Sequence, residues 1–538
     1  MLRLLEQVRS LKRLLWRFLL KRSNLLDFIL LLISLFFLFL SQPSFLFEDG
    51  CSFFAWIAYI PFFILASRLA LKASFFFGAL HGFLFCLFLC PWLSQFGLIA
   101  LLFVSCIFAF YNSISLFLIS FFQKYCPQKF SSSLWILRIF PVLALEFLRT
   151  KGFLAFSYGV IGYSQWQIPA FLKFSSLFGV WGVSFLILLV NSLLAKIISE
   201  KNVRNNLKKF SLCLSLVLAV FIFWLSDFLI PQGKNPSVLS VALIQNASSS
   251  SSRDISDYER DSLLLQKLTD RALASNPESE LIVWPETAIV PDFLFHAQNP
   301  SDKRRHELSE KLLSFISGKN SAFLIGSNHR DGRKTYNSAL YFSPKESGAE
   351  VYNKNILVPF TEYWPSFLDF EFFDGLKSDL NCDLFEKGSE VKIFKIGKLN
   401  FASPICFEDS FSPLIRKMKK KGAEFFVNIS DDAWASSEAA RKMHLSMSVF
   451  RAAEYSSPFI RSTIDGKTCV IDSRGKVTGE IPCGIDGFLC AKIEVEKNSR
   501  TPYIIIGDVF IWAITIFTLI FLLILSAGFV KVKCYGRR

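Results

Sequence analysis

The feature that most constrains this chain is a series of long apolar runs in its first 230 residues, with one more near its end. A helix that crosses a bilayer needs about 20 mostly apolar residues, because hydrocarbon offers the backbone no hydrogen-bond partner. Clear spans are 25–41, 51–67, 73–90, 96–122, 174–195, 210–230 and 509–530. A further segment, 133–150, carries Arg138, Glu146 and Arg149, charges that a membrane tolerates only where they face protein, water or the interface. The flanking charges decide whether it counts. With eight spans and the N-terminus inside, the pieces 1–23, 68–72, 123–132, 196–209 and 531–538 hold 7, 2, 2, 5 and 4 Lys plus Arg. The outside loops 42–50, 91–95 and 151–173 hold 0, 0 and 2. That is the positive-inside asymmetry, and it fails if 133–150 is dropped.

This reading divides the chain. Residues 1–23 form a basic amphipathic segment on the cytoplasmic membrane surface. Their charged region is too long for a cleaved signal peptide, and no A-x-A-like site follows. Residues 24–232 form a bundle of seven transmembrane helices, 235–500 a soluble domain outside the cytoplasm, 503–530 a closing transmembrane helix, and 531–538 a basic tail. The net charge of +15 does not point to nucleic acid, because the basic residues cluster beside apolar segments, as suits a membrane surface.

From about residue 237 strands and helices alternate. "VLSVALIQNA" (238–247), "SELIVWPET" (279–287), "SAFLIGSNHR" (321–330), "TYNSALYFSP" (335–344), "EVYNKN" (350–355) and "AEFFVNISDDAW" (423–434) begin as strands. Residues 258–276, 302–317 and 442–457 have helical periodicity, and 458–477 reads as a hairpin with turns at Asp-Gly and Arg-Gly. "ASSSSSR" (247–253) reads as a surface loop. The pattern suggests one layered α/β sandwich of about 260 residues.

Three stretches place a reactive side chain after a strand. Glu286 in "VWPETA" follows an apolar strand and a Trp-Pro pair, a setting that favours a general base, although a lone acid is ordinarily a solvated loop residue. Lys354 in "YNKNILVPFTE" is a candidate for oxyanion stabilisation, with Glu362 as a partner for it or for the substrate. Cys406 in "ASPICFEDSF" is a candidate nucleophile, a buried thiol or half of a disulfide. The soluble part holds Cys382, Cys406, Cys469, Cys483 and Cys490. Five is odd, so at least one is unpaired if all bridges are internal; position alone does not say which. There is no zinc spacing, no Gly-rich phosphate loop and no GxSxG elbow, so neither metal nor cofactor is expected.

"WPE", "K…LVPF.E" and "IC.E", in that order and 68 and 52 residues apart, resemble the signatures of the nitrilase superfamily of carbon–nitrogen hydrolases. A domain of that kind between the seventh and eighth spans resembles the apolipoprotein N-acyltransferase family, as does "ALEFLRTKGFLAFSYGVIGYSQ" (144–165). The resemblance implies a membrane α-helical bundle plus a nitrilase-like αββα sandwich, in a bacterial inner membrane with the catalytic domain periplasmic. It implies ping-pong acyl transfer. Cys406 takes an acyl chain from a phospholipid, expected to be phosphatidylethanolamine, and passes it to the α-amino group of a diacylglyceryl-cysteine on a lipoprotein. Glu286 moves the protons, and Lys354 with the Phe407 N–H holds the oxyanion. Glu362 and Glu408 support the site, and Trp434 belongs to a loop that shapes the pocket. The chain departs from the family pattern at Thr361 (Gly is usual), at Phe407 (Tyr is common), at Asp431 (for Asn), after Trp434, where Phe-Gly is missing, and in "STIDG". Thr361 is expected to stiffen the loop carrying Glu362, since Gly permits positive φ and Thr does not. The competing readings are a membrane-anchored amidase acting on a soluble amide, and a transporter or scaffold with an inactive nitrilase-like domain. Seven spans before the domain argue against the first. The intact Glu286, Lys354 and Cys406 argue against the second.

Overall fold

A computed structural model describes residues 22–199, 203–229, 236–247, 254–344, 348–366, 369–370, 385–435 and 437–535. Nearly all of the basic segment 1–23, most of "ASSSSSR", Cys382 and the last three residues of the tail lie outside the described residues.

The apolar half folds into helices α1 (Arg22–Ser41), α2 (Ser52–Ala58), α3 (Ile60–Arg68), α4 (Leu71–Leu89), α5 (Leu98–Tyr125), α6 (Leu134–Leu137), α7 (Ile139–Arg149), α8 (Pro169–Ser199) and α9 (Val203–Leu229). Among the described residues six apolar helical segments are long enough to cross a membrane: 71–89, 98–125, 130–149, 169–199, 207–226 and 509–527. The expected spans 25–41 and 51–67 correspond to shorter apolar helices, Leu25–Ser41 and Ser52–Arg68, so a count of eight full-length spans is not reached. The second is interrupted at Tyr59, and a new helix begins at Ile60 with Pro61 in its first turn. Asn191 on α8 fills the break, taking the Tyr59 N–H at 2.8 Å and donating to Ala55 O at 2.9 Å.

The three charges in segment 133–150 face protein. Arg138 donates to Ser192, Glu146 accepts from the Ile161 N–H at 2.8 Å, and Arg149 donates to Phe156 O at 2.9 Å and Tyr158 O at 2.8 Å. Each thereby satisfies backbone or hydroxyl groups that lipid would leave bare.

The second half holds two six-stranded sheets. The first contains β1 (Ser237–Gln245), β2 (Leu281–Val283), β3 (Ala322–Asp331), β4 (Lys334–Phe342), β5 (Ala349–Asn353) and β12 (Gly487–Val495), in the order β12-β1-β2-β3-β4-β5. The second contains β6 (Phe394–Ile396), β7 (Leu399–Ala402), β8 (Phe425–Asp431), β9 (Phe459–Ile464), β10 (Cys469–Ile471) and β11 (Val477–Glu480), in the order β11-β10-β9-β8-β7-β6. Parallel pairing joins β1, β2 and β3 in one sheet and β7, β8 and β9 in the other; the outer strands are antiparallel. Ser462 on β9 ties the sheets together, donating to Ile244 O at 2.7 Å and Val283 O at 3.2 Å.

Helices α10 (Ile255–Ser275), α11 (Phe293–Gln298) and α12 (Lys303–Ser317) belong to the first half of the sandwich, and α13 (Ser412–Lys420) and α14 (Glu438–Tyr455) to the second. Asp254 caps α10 through a reciprocal bond with Asp257. The strands β6 and β12 and the helix α11 carry no signal that sequence periodicity caught, being short or only half buried.

Helix α14 is buried along almost its whole length, because it packs on the sandwich with one face and on α8 with another. At that junction α8 is interrupted at Gly179 (φ +66), and the freed Val180 N–H donates to Glu454 of α14 at 2.9 Å. Helices α15 (Pro502–Ile506) and α16 (Val509–Tyr535) return the chain to the apolar half.

Candidate active site

The parallel strands of both sheets end on the same side, and the reactive groups leave from those ends. Glu286 follows β2 by three residues, Lys354 follows β5 directly, Cys406 follows β7 by four, and Asp431 ends β8. Outside the carboxyl ends of parallel strands backbone amides are free to meet ligands. Gly326 on β3 makes room for Glu286, since a Cβ there would come within 2.4 Å of the Glu286 Cα and of Pro285 O.

The three predicted residues Glu286, Lys354 and Glu362 form one buried ionic group. The Lys354 ammonium donates to Glu362 Oε1 at 2.8 Å and to Glu286 Oε1 at 3.1 Å. Glu286 Oε2 accepts the Asp431 N–H at 2.8 Å, and Glu362 Oε2 accepts the Val358 N–H at 2.8 Å. Burial works against the charge of Lys354, but Glu286, Glu362 and the nearby Cys406 outweigh it and hold the ammonium well above its usual range.

Cys406 has φ +49 and opens a tight 3-10 turn over Cys406–Ser410. A non-glycine residue in the left-handed region is strained, and such strain clusters at functional sites. The residue is buried, at 9% exposure. Burial pushes the thiol well above its usual value; Glu286 and Asp432 add to that, while Lys354 pulls the other way. The resting group is therefore a neutral thiol that needs a base at the moment of attack. The Phe407 N–H has no hydrogen-bond partner among the described residues, and it sits next in chain to the sulfur-bearing residue.

Glu408 is fully buried and braces the turn. Its carboxylate accepts the N–H groups of Ile405 at 2.9 Å, Asn355 at 2.6 Å and Ile356 at 3.0 Å, and the Tyr352 hydroxyl at 3.0 Å. One side chain thus joins the Cys406 turn to the Lys354 loop. Burial raises its pKa to about 7 despite those donors. Trp434 lies at the junction of the two halves, its ring 4.8 Å from Trp92, 6.3 Å from Phe96 and 6.3 Å from His444. Tyr158 packs against Trp92 at 5.0 Å and lies within electrostatic reach of Cys406. The apolar half therefore packs against the Trp434 loop beside the site.

Thr361 corrects the expectation about its loop. The positive φ falls on its neighbour Phe360 (φ +65), so Thr361 occupies a position where a β-branched residue is unstrained. The cysteine question also closes in part: Cys406, Cys469, Cys483 and Cys490 are free thiols.

Sequence reading missed Asn337. It lies buried on β4 and donates to Glu286 Oε1 at 2.6 Å and to Glu362 Oε1 at 2.8 Å, holding both carboxylates against one lysine. The available signal was a polar residue in the apolar run of "TYNSALYF". Among the described residues no group of His, Cys, Asp and Glu is arranged to hold a metal.

Comparison with known proteins matches two stretches of the chain to known families. Residues 34–193 match the Apolipoprotein N-acyltransferase N-terminal domain, and residues 240–503 match Carbon-nitrogen hydrolase. Over 527 residues the chain is 33% identical to Apolipoprotein N-acyltransferase 1 of Treponema denticola, covering 93% of this chain and 95% of that one. It is 30% identical over 509 residues to Apolipoprotein N-acyltransferase of Geobacter metallireducens, covering 90% of this chain and 93% of the other. Among solved structures, an amidase from Nesterenkonia sp. is similar with TM-score 0.37 and 16% identity, over 49% of this chain and 93% of that chain.

Proposed function

The chain belongs to the apolipoprotein N-acyltransferase family, a family of membrane proteins, and from that premise we propose that it carries out acyl transfer in two steps. In the first, the Cys406 sulfur attacks an acyl ester carbonyl of a phospholipid while Glu286 takes the thiol proton. The tetrahedral oxyanion is held by the Lys354 ammonium and the Phe407 N–H. Collapse gives a thioester on Cys406, and the proton on Glu286 goes to the departing lysophospholipid alkoxide. In the second, Glu286 accepts a proton from the incoming amine, the amine attacks the thioester, and the sulfur leaves as thiolate and takes the proton back from Glu286. The amine is the α-amino group of a diacylglyceryl-cysteine at a lipoprotein N-terminus, and the product is a triacylated lipoprotein.

The observation that carries this reading is the contact of Lys354 with Glu286, both within electrostatic reach of the Cys406 thiol. A carboxylate held by an ammonium and two N–H donors keeps its place through both proton transfers. Glu362 holds Lys354, and Glu408 holds the nucleophile's turn. Phosphatidylethanolamine is the proposed donor, and the proposed setting is the bacterial inner membrane with this domain in the periplasm. Both substrates are then lipids of the outer leaflet, which gives the cluster of Trp92, Tyr158 and Trp434 a reason to be apolar.

The test is transfer itself. Protein in vesicles of phosphatidylethanolamine carrying a labelled acyl chain, given a synthetic diacylglyceryl-cysteine lipopeptide, should yield an N-acylated peptide. Release of free labelled acid at the same rate with or without peptide would favour a hydrolase instead.

A further inference from the structure

Behind the nucleophile's turn lies a second ionic group that the proposed chemistry leaves unused. Asp409 belongs to the Cys406–Ser410 turn, and Asp432 follows the residue whose N–H holds Glu286. His444 on α14 lies between them, with Nε2 2.9 Å from Asp409 Oδ1 and Nδ1 3.1 Å from Asp432 Oδ1. Arg461 on β9 donates to the other oxygen of each carboxylate, to Asp409 Oδ2 and, at 3.1 Å, to Asp432 Oδ2. Ser430 donates to Asp432 at 2.7 Å, and Ser448 donates to Asp409. All four ionisable side chains are at most 1% exposed.

An ionised carboxylate only accepts, so an imidazole lying between two of them donates from both nitrogens. The ring is then an imidazolium. Asp409 is the larger influence favouring that charge, Asp432 adds to it, and burial and Arg461 oppose it; the balance raises the pKa of His444 to about 9. Two carboxylates, one imidazolium and one guanidinium sum to zero. That neutrality matters at Cys406, because the thiol already feels Asp432 as well as Glu286 and Lys354.

We propose that His444 is a positioning residue for Cys406: clamped between Asp409 and Asp432, it ties the nucleophile's turn to the loop that holds Glu286 and keeps the charge behind the thiol at zero. The proposal rests on Cys406 being the nucleophile. The groups facing Cys406 are Glu286, Lys354, Asp432 and Ser430 from the sandwich, with Arg461 and Tyr158 within electrostatic reach. Those facing His444 are Asp409, Asp432 and Arg461, together with the ring of Trp434.

The experiment is alkylation of Cys406 by iodoacetamide in the full-length detergent-solubilised protein at pH 8, followed by peptide mass mapping. It needs no lipid substrate, so it separates this proposal from the acyl-transfer reading. The thiolate is the reacting form, and one unit in thiol pKa is about tenfold in its amount. His444→Gln leaves one uncompensated negative charge, and alkylation should slow by about tenfold. Asp432→Asn leaves one positive charge, and alkylation should quicken by about tenfold. The double variant restores neutrality and should return to within about threefold of the parent. Ser448→Ala removes a donor without changing charge and serves as the reference for simple loosening. Shifts of the same sign in both single variants, or a double variant slower than either, would overturn the proposal, since a purely structural role predicts accumulating damage. Melting is recorded for every variant. If His444→Gln fails to fold, the sign at Asp432→Asn decides: faster alkylation supports the proposal, and unchanged or slower alkylation overturns it.

Discussion

Two regions of this molecule, the loop around Arg149 and the site around Lys354, bury charge in different ways. In the apolar half Arg149 and Glu146 are satisfied by main-chain groups, Phe156 O and Tyr158 O for one and the Ile161 N–H for the other. In the sandwich Lys354 meets two carboxylates, and His444 and Arg461 meet two more. A backbone group has a fixed partial charge and no proton to give. Such a contact braces or holds a charge without trading a proton. A side-chain pair divides protons between partners and responds to a passing charge. The chemistry is therefore expected where charges face one another, and the bracing where they face the backbone.

The comparison breaks first at Lys354. Lys354→Met leaves Glu286 and Glu362 buried without their cation, so acyl transfer should fall by at least about a thousandfold, with about 3–5 kcal/mol lost in stability. Activity and melting measured on the same preparation check this. Asn337→Leu removes a donor from both carboxylates while keeping the volume, and transfer should drop by about 10- to 100-fold with the fold retained. Glu146→Gln sharpens the contrast from the other side. The amide oxygen still accepts the Ile161 N–H, so kcat should stay within about threefold and the melting temperature within a few degrees.

A pH series separates the halves further. The pKa of His444 is raised from 6.5 to about 9, so its contribution to stability is fully present below about pH 6.5 and is lost as pH rises through about 9. The parent protein should show a fall in melting temperature across that window that His444→Gln lacks. The smallest effect is expected at Thr361→Gly. Because the left-handed residue is Phe360, the change should leave kcat/KM within about twofold.

Much of this was legible in the sequence, for reasons that differ by residue. Glu286, Lys354 and Cys406 each follow an apolar strand, and a strand end both fixes a side chain and exposes it. Segment 133–150 was legible through charge asymmetry in its neighbours, although its own Arg138, Glu146 and Arg149 argued the other way. Asn337 was hidden, because its importance depends on the register of β4 against β3 and β5, which pairing sets. The break at Tyr59 was hidden too, since its partner Asn191 lies 132 residues away. His444 and Ser448 stand four apart on one helix, a spacing that puts both on one face. Their partners Asp409, Asp432 and Arg461 come from three other stretches, which only the fold brings together.

The most direct test of the central claim is the intact mass of the purified protein after incubation with phosphatidylethanolamine, beside Cys406→Ala. A gain of one acyl chain that hydroxylamine removes, absent from the variant, is the predicted result. A folded protein that gains no acyl chain, or gains one equally in Cys406→Ala, would contradict the account.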